Sequence, residues 1–197
     1  MTQNIPPKRV VLVNGIPASG KSTLTRVLSQ HFGWPVLTLD SLKEPFMHAF
    51  APVDRQRNRQ LGCAAYQAIW NIVAQAPASQ IWLIDARLFQ SLLQQRTGLE
   101  LWLKIEPEVA VARYQARLSQ RLPGHPGAEY LPELRQLAQQ ATPMALGQVY
   151  EVDACAQDHA AVIHWLQQQL TRTRYTSVHH QRSEELQDVV APLSANR

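Results

Sequence analysis

The run Gly15-Ile16-Pro17-Ala18-Ser19-Gly20-Lys21-Ser22 constrains the fold of this chain more than any other feature. It fits the pattern GxxxxGK[ST] in full, and its setting matches. The short β-branched run Val10-Val11-Leu12-Val13 precedes it. An amphipathic segment follows, with Leu24, Val27, Leu28 and Phe32 at spacings of three and four. A buried strand that enters a Gly-rich turn and leaves it as a helix is a cradle for phosphate. The glycines let the backbone approach without a clashing Cβ, and the unpaired N–H groups surround the anion at the positive end of the helix. Lys21 adds a full charge toward the β- and γ-phosphates, and Ser22 offers a hydroxyl to Mg²⁺. The expected nucleotide-binding set is therefore Gly15, Ile16, Pro17, Ala18, Ser19, Gly20, Lys21, Ser22 and Thr23. The alternative, a Gly-rich turn with an exposed lysine, leaves the flanking strand and helix unexplained.

The remainder of the chain alternates short apolar runs with helical patterns. Strands are expected at Val36–Leu39, Ile81–Ile84, Leu99–Ile105 and Gln148–Val152. Gly33 ends the first helix. Ser41–Phe50 reads as a short helix interrupted by Pro45, and Asp54 as the cap of a long helix to Gln75. Pro107 opens a helix to about Arg121, followed by the loop Arg121–Gly127, a helix at Pro132–Gln140 and another at Asp158–Leu170. The alternation predicts an α/β fold: a five-stranded parallel sheet with helices on both faces and a short lid. The domain is expected over residues 1–171, with 172–197 a polar tail or frayed helix.

In such sheets ligands bind beyond the carboxyl ends of the strands, and Asp40, Asp85 and Asp153 stand at three of those ends. Asp85 follows Ile-Trp-Leu-Ile, the pattern of a Walker B acid, and joins Ser22 as an expected Mg²⁺ ligand, directly or through water. Arg87 places a cation beside it.

These features resemble the small P-loop kinases: GIPASGKSTL at Gly15–Leu24, a strand ending in Asp40 with Ser-Leu-Lys-Glu after it, Asp85 after a third strand, and an arginine helix leading to RLPGHPG. The nearest group contains chloramphenicol phosphotransferase, the zeta-toxin kinases and related kinase-like ATPases; gluconate and shikimate kinases resemble the chain more distantly. The resemblance covers roughly residues 8–170 and implies that Asp40 receives the proton of an acceptor hydroxyl and that Arg117 and Arg121 act from a lid on transferred charge. The other reading of Asp40 is a helix N-cap. Lys43 belongs either to this site or to the surface. On one continuous helix Arg113, Arg117 and Arg121 share a face, where an anion would relieve their repulsion; the alternative is a solvated face with Glu108 neutralising Arg113. His125, between two Pro-Gly turns, reads either as a contact to phosphate or substrate or as an exposed loop histidine, and the exposed reading is the expectation. Arg55, Arg57 and Arg59 alternate, so they read as a solvated helix start, with one of them open to an acidic substrate.

Together these point to an ATP- and Mg²⁺-dependent kinase, with Lys21, Asp40, Arg117 and Arg121 as catalytic candidates and a small hydroxyl compound as acceptor: a sugar, sugar acid, aminosugar or antibiotic-like molecule. The other readings are a nucleic-acid-end or tRNA-associated ATPase and a partner-dependent regulatory ATPase. The net charge of +4 is dispersed, with no dense basic run, which weighs against nucleic acid. No NKxD segment suggests GTP switching. The apolar run at Val10–Val13 is too short for a membrane span or signal core, so a cytoplasmic protein is expected, with Cys63 and Cys155 as buried thiols. No oligomeric state is legible.

Overall fold

The computed structural model describes residues 9–77, 79–85, 98–145, 147–156 and 158–171. The chain divides into two compact units, Met1–Asp158 and His159–Arg197. In the second unit a helix covers 159–171; Gln168 Nε2 lies 2.8 Å from His164 Nε2, and Thr171 Oγ1 donates to the Gln167 carbonyl at 2.8 Å. The expected tail at 172–197 lies outside the described residues.

The first unit is organised around β1 (Arg9–Gly15). It pairs in parallel with β3 (Ile81–Asp85) on one side and β4 (Gly98–Lys104) on the other. β2 (Val36–Thr38) and β5 (Gln148–Asp153) complete a five-stranded parallel sheet in the order β2-β3-β1-β4-β5. Alternation along β1 divides the core. Val10 and Leu12 face one way and cluster with Leu37, Ile84 and the α3 (Arg55–Gln75) residues Ile69, Trp70 and Val73. Val11 and Val13 face the other way, in register with Leu83 and Leu101, and all four are buried. Truncating a fully buried side chain here, such as Ile69→Ala, costs on the order of 2–5 kcal/mol.

The helices start as the residues dictate. α1 (Lys21–Phe32) follows Gly20 and ends at Gly33, whose φ of 69° closes the helix with an N–H bond to the Ser29 carbonyl. Asp54 caps α3 by accepting the Arg57 N–H at 2.7 Å. α2 (Leu39–Ala49) is capped by Thr38 and Ser41 in a reciprocal capping box, so the cap reading of Asp40 is wrong; Asp40 sits in the first turn instead. Pro45 does not interrupt α2: it removes one backbone donor, but Met47 is buried and the helix packs along α3.

α4 (Pro107–Gln115) is shorter than the spacing of its arginines suggests. After Ala116 the chain tightens into one 3₁₀ turn at Leu118–Gln120 and then enters the loop, so Arg113, Arg117 and Arg121 do not share a helix face. Tyr114 ties the chain beyond the break back to α4: its hydroxyl donates to the Pro126 carbonyl at 2.8 Å, and the Arg121 guanidinium folds back over its ring at 4.9 Å. α5 (Leu131–Gln140) packs against α4, where Glu108 forms a two-pronged pair with Arg135 at 2.7 and 2.9 Å rather than neutralising Arg113. Cys63 and Cys155 are exposed, contrary to the burial expected of them. No helix among the described residues is long and apolar enough to cross a membrane.

Candidate active site

The phosphate loop is held from behind by a buried polar chain. Asn14 Oδ1 accepts the Gly15 N–H at 2.8 Å, and Asn14 Nδ2 donates to Glu100 Oε1 at 2.7 Å. Glu100 lies within β4 and also accepts the Met144 and Ala145 N–H groups, both at 2.9 Å. A buried carboxylate with three donors is satisfied, and here it fixes the exit of β1. Sequence reading missed this pair; the signal was an acid inside the apolar run of a central strand.

At the loop itself, a Cβ on Gly15 would lie 2.7 Å from Ser19 Oγ and 3.0 Å from the Leu103 carbonyl, so only glycine fits. Ala18 holds φ at 69°, a left-handed conformation unusual for a residue with a Cβ. α1 has no side-chain cap and no acid in its first turn, and among the described residues the buried Ser19 Oγ has no hydrogen-bond partner. Donors left unpaired at a helix start are what a phosphate requires. Lys21 Nζ rests on the Gly15 and Ile16 carbonyls at 3.1 and 3.0 Å.

β3 brings Asp85 to the same place: Ser22 Oγ donates to Asp85 Oδ2 at 2.9 Å. Burial pushes the Asp85 carboxyl above the usual range; Lys21 and the Ser22 bond oppose that, and Asp40 adds to it. A hard divalent cation suits a buried carboxylate beside a hydroxyl, so Ser22 and Asp85 fit Mg²⁺.

A cavity of about 350 Å³ opens over the loop. Lys21, Ser22 and Asp85 line it, together with Asp40, Lys43, Arg117, Arg121 and His125. The sequence-selected residues therefore meet around one space. Arg113 does not join them: its guanidinium bonds the Ala154 carbonyl at 3.3 Å. Asp153 accepts the Cys155 N–H at 2.7 Å at the end of the edge strand. Arg87 lies outside the described residues.

Lys43 is a site residue, buried with its ammonium 3.1 Å from Asp40 Oδ1. His125 is not the exposed loop residue expected: its side chain is only 4% exposed. Burial, then Lys43 and Arg121, lower its pKa to about 4 against a smaller opposing effect of Asp40. Arg121 Nη2 lies 2.9 Å from His125 Nδ1, and since arginine only donates, the neutral ring carries its proton on Nε2, which lies 3.5 Å from Glu44 Oε1. Ligand atoms of Asp40, Glu44 and His125 come within 4.8 Å of one another. A metal there would need the Nε2 lone pair, which this tautomer does not offer, and would face the Lys43 ammonium.

The loop carrying Arg121 and His125 is clamped on either side of His125. Asn58 Nδ2 donates to the Gly124 carbonyl at 2.8 Å, and Tyr114 bonds Pro126. Gly124, at φ 91°, lies so close to the segment leading into α3 that a Cβ would fall 2.5 Å from the Val53 carbonyl.

No family model matches the sequence, and no curated protein matches it. Solved structures do. A protein of Chloroflexus aurantiacus J-10-fl, provisionally described as a kinase, superposes with a TM-score of 0.72 and 24% identity, over 82% of this chain and 98% of its own. Shikimate kinase from Acinetobacter baumannii, solved with shikimate, gives 0.55 and 18% over 85% and 94%. Deoxyadenosine kinase from M. mycoides gives 0.55 and 15% over 83% and 99%. At these identities the likeness establishes the fold, that of the P-loop kinases.

Proposed function

We propose that this protein transfers the γ-phosphoryl group of Mg·ATP to a hydroxyl of a small molecule. The observation that carries the reading is the meeting of Lys21, Ser22 and Asp85 with Asp40, Arg117 and Arg121 around one cavity. The loop amides and Lys21 hold the phosphates, while Ser22 and Asp85 hold the magnesium ion, which supplies charge neutralisation when bound. Asp40 orients the acceptor hydroxyl and takes its proton, and the Lys43 ammonium, 3.1 Å from Oδ1, holds the direction of that carboxylate. Arg117 and Arg121 offset the charge that builds on the transferred group, and the loop clamped by Asn58 and Tyr114 limits water.

The named kinases of this fold act on different acceptors, so the fold leaves the acceptor open. The sequence resemblance to the chloramphenicol phosphotransferase and zeta-toxin group favours a hydroxyl acceptor over a phosphate acceptor. So does the carboxylate at the head of α2. A protein confined to the cytoplasm fits the reading.

Release of ADP from Mg·ATP, measured against pooled hydroxyl compounds, tests it. One pool should stimulate release in the wild type, and Lys21→Ala and Asp40→Ala should both abolish the stimulation. Mg·ATP binding with no stimulation by any pool would count against the reading.

A further inference from the structure

Beside the first cavity lies a second, of about 580 Å³, lined by Arg55, Arg59, Arg121, Tyr114, Tyr130 and Glu133. Pro17, Asn58, Arg121 and Pro126 line both, so the two share a wall. The alternate spacing of Arg55, Arg57 and Arg59 suggested scattered side chains, but the structure separates them. Arg55 and Arg59 stand one turn apart and both face the second cavity, whereas Arg57 turns away to Gln60 at 3.2 Å.

This placement is electrostatically unfavourable in the protein alone. Like charges four residues apart on a helix repel. Cations in the first turns of a helix oppose its dipole, and α3 has no acid there within the helix. Among the described residues Arg55 has only a loose partner, Glu129, at 3.9 Å. Arg59 and Arg121 have no carboxylate partner among the described residues, and the buried Arg121 Nε has no hydrogen-bond partner. Against these guanidinium groups the cavity offers one carboxylate, Glu133.

Resting on the kinase reading above, we infer that the acceptor is anionic. It presents a hydroxyl to Asp40 and seats a carboxylate or phosphate group against Arg55, Arg59 and Arg121 in the second cavity. Asn58, at the shared wall with its buried Oδ1 unpartnered, is placed to accept from a hydroxyl between the two ends. A neutral compound would offer these guanidinium groups no counter-charge.

Binding tests this directly. The full-length chain is saturated with Mg²⁺ and a non-hydrolysable ATP analogue, so that the phosphate loop is filled, and titrated calorimetrically with gluconate, inorganic phosphate and neutral glucitol. At least one anion should bind ten times more tightly than glucitol, and the tighter of the two tells carboxylate from phosphate. Arg55→Gln combined with Arg59→Gln should weaken that anion at least tenfold, with an unchanged or higher melting temperature because the repulsion is relieved. Equal binding of glucitol, no binding of either anion, or affinity unchanged in the double variant would overturn the inference. Transfer assays separate it from the kinase reading. In them the double variant should raise KM for an anionic acceptor and leave kcat within about threefold. Arginine-dependent anion binding with no transfer to any anionic hydroxyl compound would sink the kinase reading and leave the anion site standing.

Discussion

The phosphate end and the acceptor end of the cavity are held in place by different means. The phosphate end is local: Gly15 through Ser22 are consecutive residues, and their support comes from behind, through Asn14 and Glu100. The acceptor end is assembled from distant pieces: Asp40 and Lys43 from α2, Asn58 from α3, and Arg121 and His125 from a loop that follows α4. A site built from one stretch tolerates change elsewhere. A site built from several elements depends on the clamps that bring them together, here Asn58 to Gly124 and Tyr114 to Pro126.

That contrast predicts which substitutions separate binding from transfer. The largest effects fall on the reacting groups. Lys21→Ala should lower transfer by about 10³-fold and weaken Mg·ATP binding, while Asp40→Asn should lower kcat by about 10²–10⁴-fold with nucleotide affinity unchanged. Steady-state kinetics beside nucleotide titrations read both. Equal loss of nucleotide affinity in the two variants would erase the distinction between the ends.

Gly124→Ala comes next. The added Cβ meets the Val53 carbonyl at 2.5 Å and the φ of 91° strains it further, so the loop should lift off α3. The strain is on the order of 1–3 kcal/mol. Transfer should fall by about tenfold or more with nucleotide affinity intact, and limited proteolysis should cut faster in the loop. Unchanged proteolysis and kinetics would show that the clamp does not matter.

Asp85→Asn should move activity and stability in opposite directions. Burial holds the Asp85 pKa up, so the neutral acid favours folding at low pH and that contribution is lost as pH rises through the folded value. At neutral pH the ionised carboxylate costs stability. The variant without Mg²⁺ should therefore melt higher, by about 2–4 °C, while losing metal-dependent transfer. A lower melting temperature would contradict the assignment of burial as the dominant cause.

The smallest effect at neutral pH is at His125. The folded ring stays neutral to about pH 4, whereas an unfolded histidine takes its proton near pH 6.5, so the unfolded state binds more protons between those values. Stability then falls as pH drops through that window. His125→Gln should flatten that part of a stability–pH curve measured by urea unfolding; an unaltered slope would place His125 outside the buried cluster.

The same contrast explains what the sequence revealed. β1, the loop and α1 were legible because strand period, glycine spacing and helix period lie end to end in one run. Asp85 was legible because an acid closes an apolar strand. Arg117 and Arg121, the lid arginines that the resemblance implies, do line the cavity, but the helix face that their spacing would share with Arg113 is absent. Periodicity carries no sign of Tyr114 drawing the chain back. His125 looked like one residue between two Pro-Gly turns; its burial comes from contacts with α2 that no local pattern encodes. Arg55 and Arg59 were judged by alternate spacing, although a helix brings every fourth residue together. The acid of Glu100 inside β4 was visible and went unused.

The central claim is transfer, as distinct from hydrolysis, and following the γ-phosphate itself tests it most directly. ATP labelled in the γ-phosphate, with Mg²⁺ and the hydroxyl pools, should place label in a phosphate monoester with the wild type and in none with Asp40→Asn. Label recovered only as inorganic phosphate, at equal rates in both proteins whatever the pool, would contradict the account and make this cavity a site of nucleotide hydrolysis.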